Sequence, residues 1–152
     1  NFQSENFPHS INQIKGLKWL KLIDTKLDWI PEEFADLKNI DTLDLSHNNL
    51  TSLHGEIICL ENLKFLMCRH NKIVGENIPV ELFDIEALTV LDISHNNVSV
   101  IPKSLENCKS LTVMNLSYNN LSLFMNQLTE CLPDLSLRRT FCTLSLKVTG
   151  FR

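Results

Sequence analysis

A chain of 152 residues, 43% hydrophobic and 21% charged, is long enough to enclose one continuous core. Its formal charge of −4 provides no electrostatic footprint for nucleic acid, and no run of about 18 apolar residues offers a membrane span. Five scattered cysteines, with no CxxC pair, give a zinc or redox motif little support and fit a reducing compartment.

The chain opens irregularly. FPHSINQI at 7–14 matches IPEEFADL at 30–37, each with apolar first, fifth and eighth residues, and Phe2 stands where Leu27 stands later. Residues 1–16 therefore read as part of an earlier repeat whose strand is absent, which would leave an uncapped parallel edge. From Leu17 a nine-residue frame, L-x-x-L-x-L-x-x-N, recurs as LKWLKLIDT, IDTLDLSHN, LKFLMCRHN, LTVLDISHN and LTVMNLSYN. These frames begin at Leu17, Ile40, Leu63, Leu88 and Leu111, at intervals of 23, 23, 25 and 23 residues. Two places beyond each frame stands an aliphatic residue: Leu27, Leu50, Ile73, Val98, Leu121.

Period-two alternation inside the frame predicts a short strand with positions four and six buried. Successive copies then pair in parallel about 4.8 Å apart, which requires a crossover on the opposite side. WIPEEFADL (29–37) and VIPKSLENC (100–108) suit such a crossover as a 3₁₀ or helical turn entered by proline. The ninth position (Thr25, Asn48, Asn71, Asn96, Asn119) predicts a structural ladder, because a short amide or hydroxyl can satisfy backbone groups where the strand turns. The fold class is α/β: a leucine-rich-repeat solenoid with a curved parallel sheet on the concave face and short helices, 3₁₀ turns and loops on the convex face. Beyond Leu121 the frame weakens. LPDLSLRRT (132–140) and FCTLSLKVT (141–149) both match it loosely and cannot both be full repeats. The expected division is a repeat domain over 1–135 and a divergent basic tail or irregular C-terminal cap over 136–152.

The run FPHSINQIKGLKWLKL…LDWIPEEFADL, followed by LSHNNLTSLHGEI, LDISHNN, NLSYNN and the longer crossover VGENIPVELF, resembles the N-terminal leucine-rich region of the Flightless-I family. That resemblance implies a part in actin remodelling, in proteins that join such repeats to gelsolin-like modules. No gelsolin-like segment is present in these residues, so severing or capping of actin is not assigned to them.

Frame positions three, five and seven are expected on the open sheet face, with position eight at its edge. Trp19, Phe65 and Met67 are large apolar side chains there, and Arg69 adds a common interface anchor. Lys21, Asp44, Asp92 and Asn115 complete the expected partner-binding face, edged by His47, His70, His95 and Tyr118. The plain alternative is that these residues cover the sheet without a partner. Asp44 and Asp92, two strand spacings or about 9.6 Å apart, could form an acid–base pair only within a closed cleft beside a nucleophile, and the sequence shows neither. The three histidines align in consecutive repeats, but strand spacing strains their convergence on one ion, so no metal or other cofactor is assigned. Their joint titration would weaken partner binding below about pH 6.5.

The expected function is a non-catalytic protein–protein interaction module in actin-cytoskeleton regulation or signalling, not an enzyme and without a small-molecule substrate. The Flightless-I resemblance implies cytoskeletal proteins, small GTPases or coiled-coil leucine-rich-repeat-interacting proteins as partners, and a cytoplasmic, cytoskeleton-associated location with the nucleus as a second site. The alternative is an extracellular recognition module, for which the sequons at Asn49, Asn97, Asn115 and Asn120 would count, although the repeat generates them almost automatically.

Overall fold

The computed structural model describes residues 7–121 and 143–145. Six three-residue strands form one parallel sheet in sequence order: β1 (Trp19–Lys21), β2 (Thr42–Asp44), β3 (Phe65–Met67), β4 (Val90–Asp92), β5 (Val113–Asn115) and β6 (Thr143–Ser145). Each pairs in register with the next, so that Trp19, Thr42, Phe65, Val90 and Val113 form one row. The last strand pairs Thr143 with Val113, so FCTLSLKVT supplies the sixth strand. The sheet thus reaches into the segment expected as tail or cap. LPDLSLRRT and the boundary at residue 135 lie outside the described residues.

Alternation puts Leu43, Leu66, Leu91 and Met114 (position four), with Leu45, Cys68, Ile93 and Leu116 (position six), into a buried core. Ile40, Leu63, Leu88 and Leu111 join them from position one, and Leu27, Leu50, Ile73, Val98 and Leu121 from beyond the frame. Each fully buried aliphatic side chain contributes about 1.5–3 kcal/mol, and neighbouring repeats share the contacts.

The return segments among the described residues are all 3₁₀ turns: His9–Gln13, Glu32–Asp36, Glu56–Cys59, Gly75–Asn77, Val80–Asp84 and Lys103–Asn107. Runs this short cannot recover the cost of nucleating an α-helix, whereas i→i+3 bonds close at once. Phe34 N–H donates to the Pro31 carbonyl at 3.1 Å and Leu105 N–H to that of Pro102 at 3.1 Å. The prolines stand just outside their turns, where their preset φ suits the entry and no N–H is missed. Apart from Gly75–Asn77, these turns drop apolar side chains onto the sheet, among them Phe34, Ile57, Leu82 and Phe83.

The repeat starting at Leu63 is longer, and its extra length is housed where Val74 bridges Asn97 beside the turn Gly75–Asn77. A Cβ on Gly75 would lie 2.0 Å from the Val100 carbonyl oxygen, so the two backbones meet there with no space for a side chain.

The ninth-position residues stitch the stack together. Asn48 Oδ1 accepts the N–H groups of Thr25 and Leu27, both at 3.0 Å, while its Nδ2 donates to the Leu22 and Leu45 carbonyls at 2.6 and 2.9 Å. Asn71 accepts from Leu50 N–H at 3.0 Å and donates to Leu45 and Cys68. Asn96 and Asn119 repeat the pattern with Ile73 N–H and Val98 N–H, each at 2.9 Å. Thr25 begins the series, its hydroxyl 3.1 Å from the Leu22 carbonyl. Every asparagine rung therefore joins its own strand end to the repeat before it.

Two stability outcomes follow. Asn71→Ala strands the Leu50 N–H, while the Leu45 and Cys68 carbonyls keep the Asn48 and Asn96 amides as donors, and should cost about 1–3 kcal/mol in urea unfolding. Gly75→Ala must displace the Val100 backbone and should cost about 1–3 kcal/mol by the same measurement, whereas unchanged stability would mean that the crossover yields freely.

Candidate interaction face and its ring ladder

The sheet's open face is built by rows running across the strands. In the first row Trp19 (62% exposed) and Phe65 (40%) stand clear of the surface, while Thr42, Val90 and Val113 are half-buried. The second row pairs Lys21, Asp44, Met67, Asp92 and Asn115 in register. Lys21 is exposed and Met67 half-buried. The structure thus brings Trp19, Lys21, Phe65, Met67 and the exposed Arg69 onto one surface.

The acidic members of that row behave differently from expectation. Asp44 is buried at 8% exposure, and its carboxylate accepts the Ser46 backbone N–H at 3.1 Å. Asp92 accepts both the N–H and the hydroxyl of Ser94, at 3.0 and 2.6 Å, and Asn115 accepts the Ser117 N–H at 3.1 Å. A short polar side chain at position five therefore closes a turn onto position seven, as an Asx turn does. Position seven is corrected as well: Ser46, Ser94 and Ser117 are buried, and only Ile23 and Arg69 of that column are exposed. Once the serines fold under the turn, Asp44 and Asp92 serve the backbone. Burial first, then the carboxylates of Asp44 and Asp92, push the Cys68 thiol far above its ordinary value, so it stays protonated and unreactive.

Position eight is where the sequence reading missed most. Asp24, His47, His70, His95 and Tyr118 all have left-handed backbones, with φ between 53° and 58°. Such φ values are uncommon outside glycine, though Asp and His tolerate them better than most residues. The conformation swings the following residue inward as a ladder rung and leaves the position-eight side chain on the rim. The backbone holds it there: the N–H groups of His47, His70 and His95 donate across to the carbonyls of Arg69, Ser94 and Ser117 at 2.9, 3.1 and 2.9 Å. With identical backbones one strand spacing apart, the rings stack. His47–His70, His70–His95 and His95–Tyr118 have centroids 4.4, 4.0 and 4.1 Å apart and planes within 15–17° of parallel. The sequence signal was present, an aromatic ring at one frame position in four successive repeats, but the pairwise contact was not read from it.

Near-parallel rings present their nitrogens side by side, which is poor geometry for a shared ion. Among the described residues, the ligand atoms that do converge within 4.8 Å belong to His9, Glu32 and Glu33, where His9 Nδ1 is bonded to the buried Glu33 carboxylate. Sequence reasoning did not find this pair, although the match of 7–14 to 30–37 places its members in stacked turns.

One strand per repeat, a rung of amides and a short return turn define a repeat solenoid that offers a sheet face. The chain belongs to the family described as leucine-rich repeat region, which matches residues 2–148. It is similar to a protein flightless-1 homolog of Caenorhabditis elegans, 37% identical over 73 residues, which bears out the Flightless-I resemblance; the match covers 48% of this chain and 6% of that one. Among solved structures it is similar to a leucine-rich-repeat protein of Leptospira interrogans, with a TM-score of 0.76 and 28% identity over 92% of this chain and 34% of that one. Internalin C2 of Listeria monocytogenes superposes with a TM-score of 0.70 at 23% identity, covering 91% of this chain and 55% of that one, and shows the fold alone. Among the described residues no helix is long and apolar enough to cross a membrane.

His70 lies mid-ladder, and partial desolvation, then His95, His47 and Arg69, lower its pKa against the opposing pull of Asp92. A lowered folded-state value means that the stack's stability is complete above the ordinary imidazole value of about 6.5 and is lost as pH falls through the folded pKa. The melting temperature should therefore drop between pH 7.5 and pH 5.5. His70→Asn, which keeps a left-handed-tolerant residue, should lessen that drop; an equal drop in both proteins would show that the ladder does not sense pH.

Proposed function

We propose that this chain is a non-catalytic protein-interaction module that binds a protein partner through its sheet face, within a Flightless-like protein of actin-cytoskeleton regulation or signalling. The observation that carries the reading is the exposure of Trp19 and Phe65 on one rigid face beside Arg69 and the ring ladder. Short strands locked by buried amides present these side chains with little entropy left to lose on binding. Lys21, Met67, His47, His70, His95 and Tyr118 extend the same surface. Asp44, Asp92 and Asn115 support it from within, through their bonds to the position-seven N–H groups.

The family likeness supports protein partners, and the flightless-1 likeness supports cytoskeletal proteins, small GTPases or coiled-coil leucine-rich-repeat-interacting proteins, met in the cytoplasm or at the cytoskeleton, with the nucleus second. A coiled coil would lie across the strands, offering charged and apolar positions to the rows. An acid–base mechanism has no support in a face whose aspartates are bonded to backbone and whose buried thiol is protonated.

Combining Trp19→Ala, Phe65→Ala and Arg69→Glu should abolish co-precipitation of partners from a cytoskeletal extract while leaving the circular dichroism and melting temperature unchanged. Capture that survives all three substitutions would place binding elsewhere.

A further inference from the structure

The face opposite the sheet carries a second surface of different chemistry. Between the turns Glu56–Cys59 and Val80–Asp84 lies an open groove of about 450 Å³, lined by Ile58, Ile85, Asn62 and the carboxylates of Glu61, Glu81, Asp84 and Glu86. Its apolar part is Ile58, 37% exposed, above the buried Ile85. Its charge is one-sided. The two segments that build it, HGEIICLEN (54–62) and GENIPVELFDIEA (75–87), hold six carboxylates and no lysine or arginine. Among the described residues the ion pair is His9–Glu33, far along the stack, and none of the four groove carboxylates is ion-paired; the ammonium of Lys38, beside Ile58, donates to the Cys59 carbonyl at 3.2 Å. Like charges gathered on adjacent turns repel one another, a cost that the solenoid core does not require.

We infer that this groove is a docking surface for a basic amphipathic peptide segment of a partner protein, which sets an aliphatic or aromatic side chain against Ile58 and pairs its lysines or arginines with Glu61, Glu81, Asp84 and Glu86. Charge complementarity selects this occupant. An acidic or neutral segment would leave the carboxylates uncompensated, whereas a basic one relieves their repulsion and covers the exposed isoleucine. The surface is separate from the sheet face, so a partner could hold the solenoid from both sides, or two partners could share it.

The test uses a fluorescein-labelled leucine–lysine amphipathic peptide and its leucine–glutamate counterpart, with anisotropy read at low and physiological salt. The lysine peptide should bind and the glutamate peptide should not, with affinity falling as salt rises. Glu81→Lys with Asp84→Lys should weaken binding about tenfold or more, and Ile58→Ser should weaken it at constant charge. Asp28→Lys with Asp36→Lys, an equal charge change elsewhere, and Arg69→Glu on the sheet face should leave it unchanged. Equal affinity for both peptides, no binding at low salt, undiminished binding to either groove variant, or an equal loss in the Asp28/Asp36 variant would each overturn the assignment. Because these side chains are exposed, matching melting temperatures separate lost binding from lost fold.

Discussion

The structure depends on a buried amide that must bond in two directions at once. Where each strand ends, the chain turns away from the sheet and leaves N–H and C=O groups of two successive repeats without ladder partners. Asn48, Asn71, Asn96 and Asn119 meet both needs from inside the turn, accepting from the repeat behind and donating to it and to their own strand end. Only a side chain with both a donor and an acceptor, held at the right depth, can do this. Its depth is set by the residue before it, and here the left-handed backbone at position eight becomes consequential. Three-residue strands, 3₁₀ turns and the row of outward rings are all consistent with a chain that must present one amide inward at each turn.

The same constraint shapes the candidate interaction face. Turning the chain so that Asn points inward folds position seven beneath the turn, and the position-five aspartates are drawn in to bond its N–H groups. What remains available to a partner is narrower than the alternation implied: the position-three row, Lys21, Met67, Arg69 and the rim of stacked rings. On the opposite face the return turns carry no such backbone demand, and their charge is free to vary. The acidic groove beside Ile58 is a feature of that freer side.

Much of this architecture was legible in the letters, for a physical reason. A solenoid is nearly one-dimensional, so every repeat faces the same environment and writes the same residue types at the same spacing. Leu43, Leu66 and Leu91 declare a buried column, and Asn48, Asn71 and Asn96 a rung, before any coordinates are seen. Legibility ended where repetition ended. Of two frames near the C-terminus, the later one holds a strand that pairs Thr143 with Val113, a pairing that spacing alone could not reveal. It was also incomplete within the repeat, because alternation describes a strand and positions seven and eight have already left it.

By itself, then, the sequence determined the fold class, the repeat period, the core columns and the amide ladder, all of which follow from local pattern and burial. Tertiary structure alone decided which polar residues of the frame face water. Asp44 is a polar letter that burial claimed because the Ser46 N–H gave its carboxylate a partner, and Ser46 was buried with it although its hydroxyl finds none among the described residues. His47, His70, His95 and Tyr118 became one stacked column because a shared left-handed φ, invisible in composition, put their rings in parallel one strand spacing apart.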